Sequence, residues 1–272
     1  MIVISVANQK GGVAKTTTVC NIAGIFAEQG YKTLITDADP QCSSTSYFFD
    51  DLLPQEETLA AIYQGDITED TIRRVIRPTR INKLDIVPGG FSLSAQIWEI
   101  MQDRSSGLRL REFINLVGKI RDYDLVFIDC PPDIGLFTLG AFFASQYALI
   151  PIQPERLSVE GVKQLMAKIT EFWNMRGEQK PQILGMFVSL FQGSIKSHKE
   201  WLPIIEQICG DYYLGVIHNA SAIKQAADAR SLLLEDRRSR KARPFQEHLK
   251  LAKQIKAKLK DYGEDIKPRK VL

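Results

Sequence analysis

The sequence is poor in the residues that hold metals and clusters. Its 272 residues include only three histidines and four cysteines. His198, His218 and His248 are isolated from one another, and Cys20, Cys42, Cys130 and Cys209 are scattered with no C-x-x-C pair. A zinc or iron–sulfur site therefore has no ligand set to start from, and the thiols read as reduced thiols of a cytosolic protein. Long hydrophobic runs are missing too. No stretch approaches the roughly 18 apolar residues a membrane span requires. The opening run "MIVISVA" stops at Asn8, short of a signal sequence and without a cleavage pattern. Repeats, low-complexity tracts and linkers are absent.

What remains is an ordinary globular composition, 44% hydrophobic and 25% charged, with enough chain for a full core in one domain. The net charge of +3 is unevenly placed. From Arg230 onward there are 14 Lys and Arg against 6 Asp and Glu, and before it 21 against 26. A mildly acidic body with a basic end suits a polyanionic partner or a solvated basic face equally well.

Short β-branched runs recur at Ile2–Ala7, Thr33–Thr36, Leu84–Val87, Leu125–Ile128, Ala148–Ile152, Ile183–Leu190 and Tyr212–Ile217. Helical periodicity lies between them. Val19, Ile22, Ala23 and Phe26 form one stripe on a helix starting near Lys15, with similar patterns through Leu108–Ile120, Val159–Trp173 and Phe245–Leu259. Apolar strands alternating with helices predict an α/β fold, a mostly parallel twisted sheet with helices on both faces. We expect a single domain over residues 1–263 and a short basic, flexible tail over 264–272. Trp98, Trp173 and Trp201 read as core or interface residues.

Behind the first strand stands "NQKGGVAKTTT". A strand, a glycine turn and a helix in succession aim backbone N–H groups at an anion, and the helix dipole adds positive potential. Lys15 would neutralise β- and γ-phosphate charge and the Thr16 hydroxyl would ligate Mg²⁺. Two further segments support a nucleotide site. "LITDADPQCSSTS" delivers Asp37 and Asp39 at a strand's C-terminal end, where ligands bind in open α/β sheets. One carboxylate can organise the metal and the other orient an attacking water. "YDLVFIDCPP" ends a strand in Asp129, in the form of a Walker-B carboxylate.

Together "QKGGVAKTTT", "DADPQCSSTS" and "VFIDCPP" resemble the deviant Walker-A P-loop NTPases, specifically the ParA/Soj partition group, whose motif carries an extra lysine ahead of the glycines. The resemblance continues through "LIPIQPERLSVEGVKQL" and "VIHNASAIKQAADARSLLLED". It implies an ATP-binding loop formed by Lys10, Gly11, Gly12, Val13, Ala14, Lys15, Thr16 and Thr17. It also implies Mg²⁺ held by Thr16 with Asp37 and Asp129, and catalysis by Lys10, Lys15 and Asp39. Lys10 would reach across a nucleotide-sandwich homodimer to the partner's phosphates, Asp39 would position the hydrolytic water, and Gly11 and Gly12 would allow close approach at the seam. Hydrolysis would be slow and stimulated by a partner.

Ala14 departs from the family pattern, which has glycine before the P-loop lysine. If the position needs positive φ, alanine costs about 1–2 kcal/mol, about tenfold in affinity. Otherwise the loop shifts to a conformation that alanine accepts. We expect ATP binding to be retained.

The resemblance further implies nonspecific DNA as the partner in the ATP state, with a ParB-like or other cargo-adaptor protein. The expected DNA contacts are Arg237, Arg238, Arg240, Lys241 and Arg243, with Lys196 and Lys199 substituting where family members carry an arginine and this sequence has Ser194; His218 is a second such departure. The last helix reads as docked on the domain, so no stable membrane association is expected, and the protein would be cytoplasmic and nucleoid-associated. The first core strand starts at Ile2, which predicts no helix-turn-helix region ahead of it. The alternatives are a relative that positions a protein cargo, a MinD-like membrane regulator, and a non-hydrolysing ATP-bound scaffold. A redox ATPase would need bridging cysteines.

Overall fold

The computed structural model describes residues 1–103, 105–176 and 181–268. Its strands are β1 (Ile2–Val6), β2 (Thr33–Asp37), β3 (Arg77–Pro78), β4 (Leu84–Val87), β5 (Leu125–Asp129), β6 (Tyr147–Ile152), β7 (Gln182–Phe191) and β8 (Tyr213–His218). They form one sheet in the order β3-β4-β2-β5-β1-β6-β7-β8. Every pairing is parallel except that of the short edge strand β3 with β4. The expected α/β architecture is therefore the observed one. Strands β1, β2, β5 and β6 are buried along their whole length, which is why they read as continuous apolar runs rather than alternating ones.

Eleven α-helices among the described residues cover the sheet. They are α1 (Lys15–Glu28), α2 (Ala60–Gln64), α3 (Glu69–Val75), α4 (Ser92–Gln102), α5 (Ser106–Ile120), α6 (Leu136–Ala144), α7 (Arg156–Arg176), α8 (Lys196–Cys209), α9 (Ser221–Asp228), α10 (Arg237–Lys241) and α11 (Arg243–Asp261). On one face α1, α9 and α11 join a core that contains Phe26, Leu232, Leu233, Ile255 and Leu259. On the other face α2 to α8 close over a second core around Phe113, Phe142 and Trp173.

The last helix is docked as expected. It buries Phe245, His248, Leu251, Ala252, Ile255 and Leu259 against α1 and β8, while its lysines stay on the wet side. The segment expected to be a loose tail begins by packing. Glu264 donates its backbone N–H to Leu259 O at 2.9 Å, and Ile266 rests on the α1/α11 core. Residues 269–272 lie outside the described residues. Of the three tryptophans read as core or interface residues, Trp173 is buried and Trp201 partly so, whereas Trp98 is 77% exposed on α4 and outside the core. All four cysteines are free and buried.

Candidate functional site

The C-terminal edge of the sheet carries the site. The chain leaves β1 through a loop in which Gly12 has φ 71° and Ala14 φ 61°. Ala14 is also the N-cap residue of α1, with φ 61° and ψ 33° and no side-chain cap. The position thus requires the left-handed conformation that alanine adopts at a cost, and the alternative of an alanine-compatible loop is not taken. The first helical bond here runs from Thr18 N–H to Ala14 O at 3.0 Å. The amides of Lys15, Thr16 and Thr17 precede it and face outward with the positive end of the dipole, an arrangement suited to an anion. Gly11, Val13, Ala14, Lys15, Thr16 and Thr17 line a cavity of about 390 Å³ together with Gly12, Asp39, Ser43, Pro132 and Leu190. Leu190 has φ 55° near the end of β7, a bend that turns this strand end into the cavity wall.

Lys15 is buried with its ammonium folded over the loop, donating to Asn8 O at 3.3 Å and Lys10 O at 3.4 Å. Burial lowers its pKa, opposed by the carboxylates of Asp129, Asp39 and Asp133. Asn8 braces the loop from below: its amide donates to Pro151 O at 2.6 Å, and its Oδ1 accepts the Lys10 N–H at 2.9 Å. That role is not legible in the motif, because Pro151 lies on β6, far away in sequence.

Parallel pairing of β2 with β5 sets Asp37 directly beside Asp129. Both are fully buried. Asp37 is already hydrogen-bonded: Oδ2 accepts from Thr45 N–H (2.8 Å) and Thr45 Oγ1 (2.7 Å), and Oδ1 from Asp39 N–H (3.2 Å). Asp129 Oδ2 accepts from Ser44 Oγ at 2.6 Å, while among the described residues its buried Oδ1 has no hydrogen-bond partner. Burial pushes both carboxyls above the usual range. Mutual repulsion adds to this at Asp37; at Asp129 the hydroxyls of Ser44 and Thr16 and the Lys15 ammonium oppose it. Two adjacent buried acids, one with an orphaned oxygen beside the Thr16 hydroxyl, fit a divalent cation that would neutralise them. Asp39 is set apart: it reaches the cavity wall, and its Oδ1 accepts from Gln41 N–H at 2.9 Å.

Lys10 does not point at the cavity. Its ammonium is 2.6 Å from Glu155 Oε2 and 3.4 Å from Ser158 Oγ, both near the start of α7. The sequence reading missed Glu155 and Ser158, which stand 145 and 148 residues away and carry no local signal.

Comparison with known proteins decides the class. The family model described as an AAA domain matches residues 1–182. The sequence is 35% identical to the chromosome partitioning protein ParA of Myxococcus xanthus over 163 residues, 60% of this chain and 56% of that protein. The chain belongs to the ParA/Soj family of partition ATPases. A second member, the sporulation initiation inhibitor protein Soj of Bacillus subtilis, is 28% identical over 94% of this chain and 98% of its own length. Among solved structures, a substituted McdA from Cyanothece in complex with ATP superposes with a TM-score of 0.76 at 19% identity, covering 99% of both chains, which supports the fold.

The residues expected to contact DNA are divided between layers. Lys196 and Lys199 start α8, on the side of the second core. Arg237, Arg238, Arg240 and Lys241 form α10, beside α1 and α11 on the other face. Arg240 is committed to Leu234 O and Glu28, and Arg243 to Glu247 (2.8 Å). Among the described residues Lys199, Arg237, Arg238 and Lys241 make no ion pair, and all are exposed. His218, which departs from the ParA pattern, is turned inward: Nδ1 lies 2.8 Å from Glu247 Oε1, and the ring stands edge-on to Phe191 at 4.9 Å. Among the described residues no helix is long and apolar enough to cross a membrane.

Proposed function

We propose that this protein is an ATP-hydrolysing, dimer-forming partition switch that is retained on nonspecific DNA in its ATP state and moves or positions a DNA cargo through an adaptor protein. The observation that carries the reading is the uncapped N-terminus of α1 opening on a cavity with Lys15 and Thr16 at its floor and Asp39 in its wall. ATP phosphates would take the place of the missing cap, held by the loop amides and by Lys15 once its ammonium swings off the carbonyls of Asn8 and Lys10. Thr16 and Asp129, with Asp37 behind them, would hold Mg²⁺, which supplies neutralisation of charge on the phosphate oxygens. Asp39, in the wall of the cavity, would align the attacking water. Lys10 would leave Glu155 to meet the phosphates of a second subunit, so that dimerisation completes the charge stabilisation. The names of the relatives, chromosome partitioning protein ParA and Soj, support a partition role, and Arg237, Arg238, Lys241 and Lys199 offer exposed charge for phosphate contacts that need no base readout. In this reading the protein is cytoplasmic and nucleoid-associated.

The test is retention on nonspecific DNA with ATP, with ADP and without nucleotide, using Lys15→Ala as control. Retention that requires ATP and is lost in Lys15→Ala is the expected result. No retention in any state would overturn the DNA cargo and leave a protein cargo as the reading to pursue.

A further inference from the structure

Helix α4 presents apolar side chains on two sides. Leu93 and Ile100 are buried in the core, and Ile97 packs against it. On the opposite side Phe91, Ala95, Trp98 and Met101 follow one another at helical spacing, with Phe91 60%, Trp98 77% and Met101 57% exposed. From Phe91 to Met101 this stripe runs about 15 Å at the helical rise per residue. Beside its start lies a groove of about 240 Å³ whose walls include Leu52, Leu53 and Phe91, and Leu52 is itself 75% exposed. Large apolar side chains gathered on one exposed face mark an interaction site more often than isolated ones do.

The charge around the stripe selects the occupant. The segment "DDLLPQEE" (50–57) and the stretch "SLSAQIWEIMQD" (92–103) hold six acids, Asp50, Asp51, Glu56, Glu57, Glu99 and Asp103, against one adjoining basic residue, Arg104. Arg230 on the groove wall is matched by Asp50 at 2.5 Å, and Arg77 pairs with Glu57 at 2.6 Å. A second copy would bring acidic rims together, and an anionic lipid surface or a nucleic acid would meet the same repulsion. A basic amphipathic helix satisfies both the stripe and its rim.

The stripe is connected to the nucleotide site through the turn that precedes it. Gly89 N–H donates to Thr45 Oγ1 at 2.7 Å, and that hydroxyl donates to Asp37 Oδ2 at 2.7 Å. The turn has no slack: a Cβ on Gly89 would stand 3.1 Å from Asp37 Cγ and from Asp39 O, and one on Gly90 2.7 Å from Ala60 Cβ. Leu93 N–H then bonds Gly90 O at 3.0 Å to enter α4.

We propose that the face formed by Phe91, Ala95, Trp98 and Met101, with the Leu52–Leu53 groove, docks a basic amphipathic helix of a partner protein, and that the Gly89–Gly90 turn relays its occupancy to Asp37 and Asp39. The relay rests on the ATPase reading above; the docking does not. Movement of α4 that shifts Gly89 must shift Thr45, and with it the carboxylates beside the phosphate cavity.

The probe is a designed 18-residue helical peptide of leucine and lysine, fluorescently labelled, with a glutamate-for-lysine counterpart as control. Anisotropy reads binding, Trp emission reads burial of Trp98, and phosphate release reads turnover. The lysine peptide is expected to bind, to blue-shift the emission and to change turnover at least threefold, and the glutamate peptide to do none of these. Trp98→Ser should weaken binding at least tenfold, and Glu99→Lys with Asp103→Lys should reverse the preference between the two peptides; all three sites are exposed, so these variants keep the fold. Equal binding of both peptides, or undiminished binding to Trp98→Ser, overturns the docking surface. Self-association abolished by Trp98→Ser assigns the face to a second copy and also overturns it. Binding without any change in turnover, where the unliganded protein hydrolyses ATP, overturns the relay. Absence of turnover in the unmodified protein counts against the ATPase reading, and anisotropy still decides the docking.

Discussion

Exchanging the backbone freedom of two loop residues separates strain borne in folding from strain created on nucleotide binding. Ala14 sits at φ 61°, where an L-residue costs about 1–2 kcal/mol. Glycine relieves that cost but adds unfolded-state freedom worth about 0.4–1 kcal/mol. Ala14→Gly should therefore stabilise the protein by about 0.5–1 kcal/mol. Gly12, at φ 71° and with nothing within 4 Å of an added Cβ, is the mirror experiment: Gly12→Ala should destabilise by about the same amount through the backbone alone. With an unfolding entropy of about 2.1 cal/mol/K per residue, a chain of 272 residues shifts its Tm by about 1–2 °C per kcal/mol, upward for the first variant and downward for the second. Strain that the loop carries both before and after nucleotide binding cancels from the binding equilibrium, so ATP affinity of Ala14→Gly should stay within about threefold. Calorimetry of the nucleotide-free monomer and titration with a nonhydrolysable ATP analogue measure the two quantities. A tenfold gain in affinity with no change in Tm would refute the argument, since it would mean that the left-handed conformation forms only when nucleotide arrives.

Three other outcomes follow from the same geometry. Glu155→Gln releases Lys10 from a half-exposed ion pair of the kind worth about 0.2–1 kcal/mol, so ATP-dependent dimerisation measured by analytical ultracentrifugation should tighten up to about fivefold; weaker dimerisation would show that Glu155 positions Lys10 rather than holding it back. Burial raises the carboxyls of Asp37 and Asp129, and a raised carboxyl stabilises the fold below the unfolded value near 4 and loses that contribution as pH climbs through the folded value. Melting without metal should therefore fall from pH 5 to pH 8 more steeply than in Asp37→Asn, and Mg²⁺ with nucleotide should flatten the difference; identical pH profiles for the two proteins would remove the basis for it. Arg237→Glu with Arg238→Glu should abolish DNA retention in ATP without lowering Tm, because neither side chain makes an ion pair among the described residues; Arg240→Glu is the poorer probe, since it also breaks the contacts with Leu234 and Glu28. Full retention by the double variant would exclude α10 as the contact.

The parts legible in the sequence are those whose signal is local. Strand β1, its glycine loop and the periodic stripe of α1 follow one another without interruption, and Asp37 and Asp129 each end an apolar run, so strand, turn and carboxylate could be read residue by residue. The partners these residues take could not. Asn8 meets Pro151, Lys10 meets Glu155, and Asp129 meets Ser44 only after the sheet has ordered its strands. Helix α4 was hidden for another reason: Leu93, Ile97 and Ile100 on one side and Trp98 and Met101 on the other blur the single stripe on which periodicity depends. Strand β3, two residues long, is too short for any period. The basic cluster was legible as charge, but its division between α8 and α10 depends on which face of the sheet each helix covers.

Strand order explains why one edge collects all the chemistry. From β1 the chain crosses outward to β2, leaving space that β5 later fills between them, and from β5 it passes over β1 to β6 on the far side. The connections on either side of β1 therefore diverge, and the ends of neighbouring strands are left uncovered where they part. Into that opening β1 delivers the loop and the α1 N-terminus, β2 delivers Asp37 and Asp39, β5 Asp129, β6 the Pro151 carbonyl that anchors Asn8, and β7 the bent Leu190. Each contribution lies at or just beyond a strand end, so none requires a polar group in the middle of the sheet, where desolvation would be greatest. Asp37 and Asp129 come nearest to that penalty, and they are the two whose burial a cation would offset. The same topology ties α4 to the site, because the turn at 88–90 directly follows β4, the next strand outward from β2. A partner acting on α4 therefore acts one strand away from Asp37, through a turn in which neither glycine can accept a side chain without displacing its neighbours.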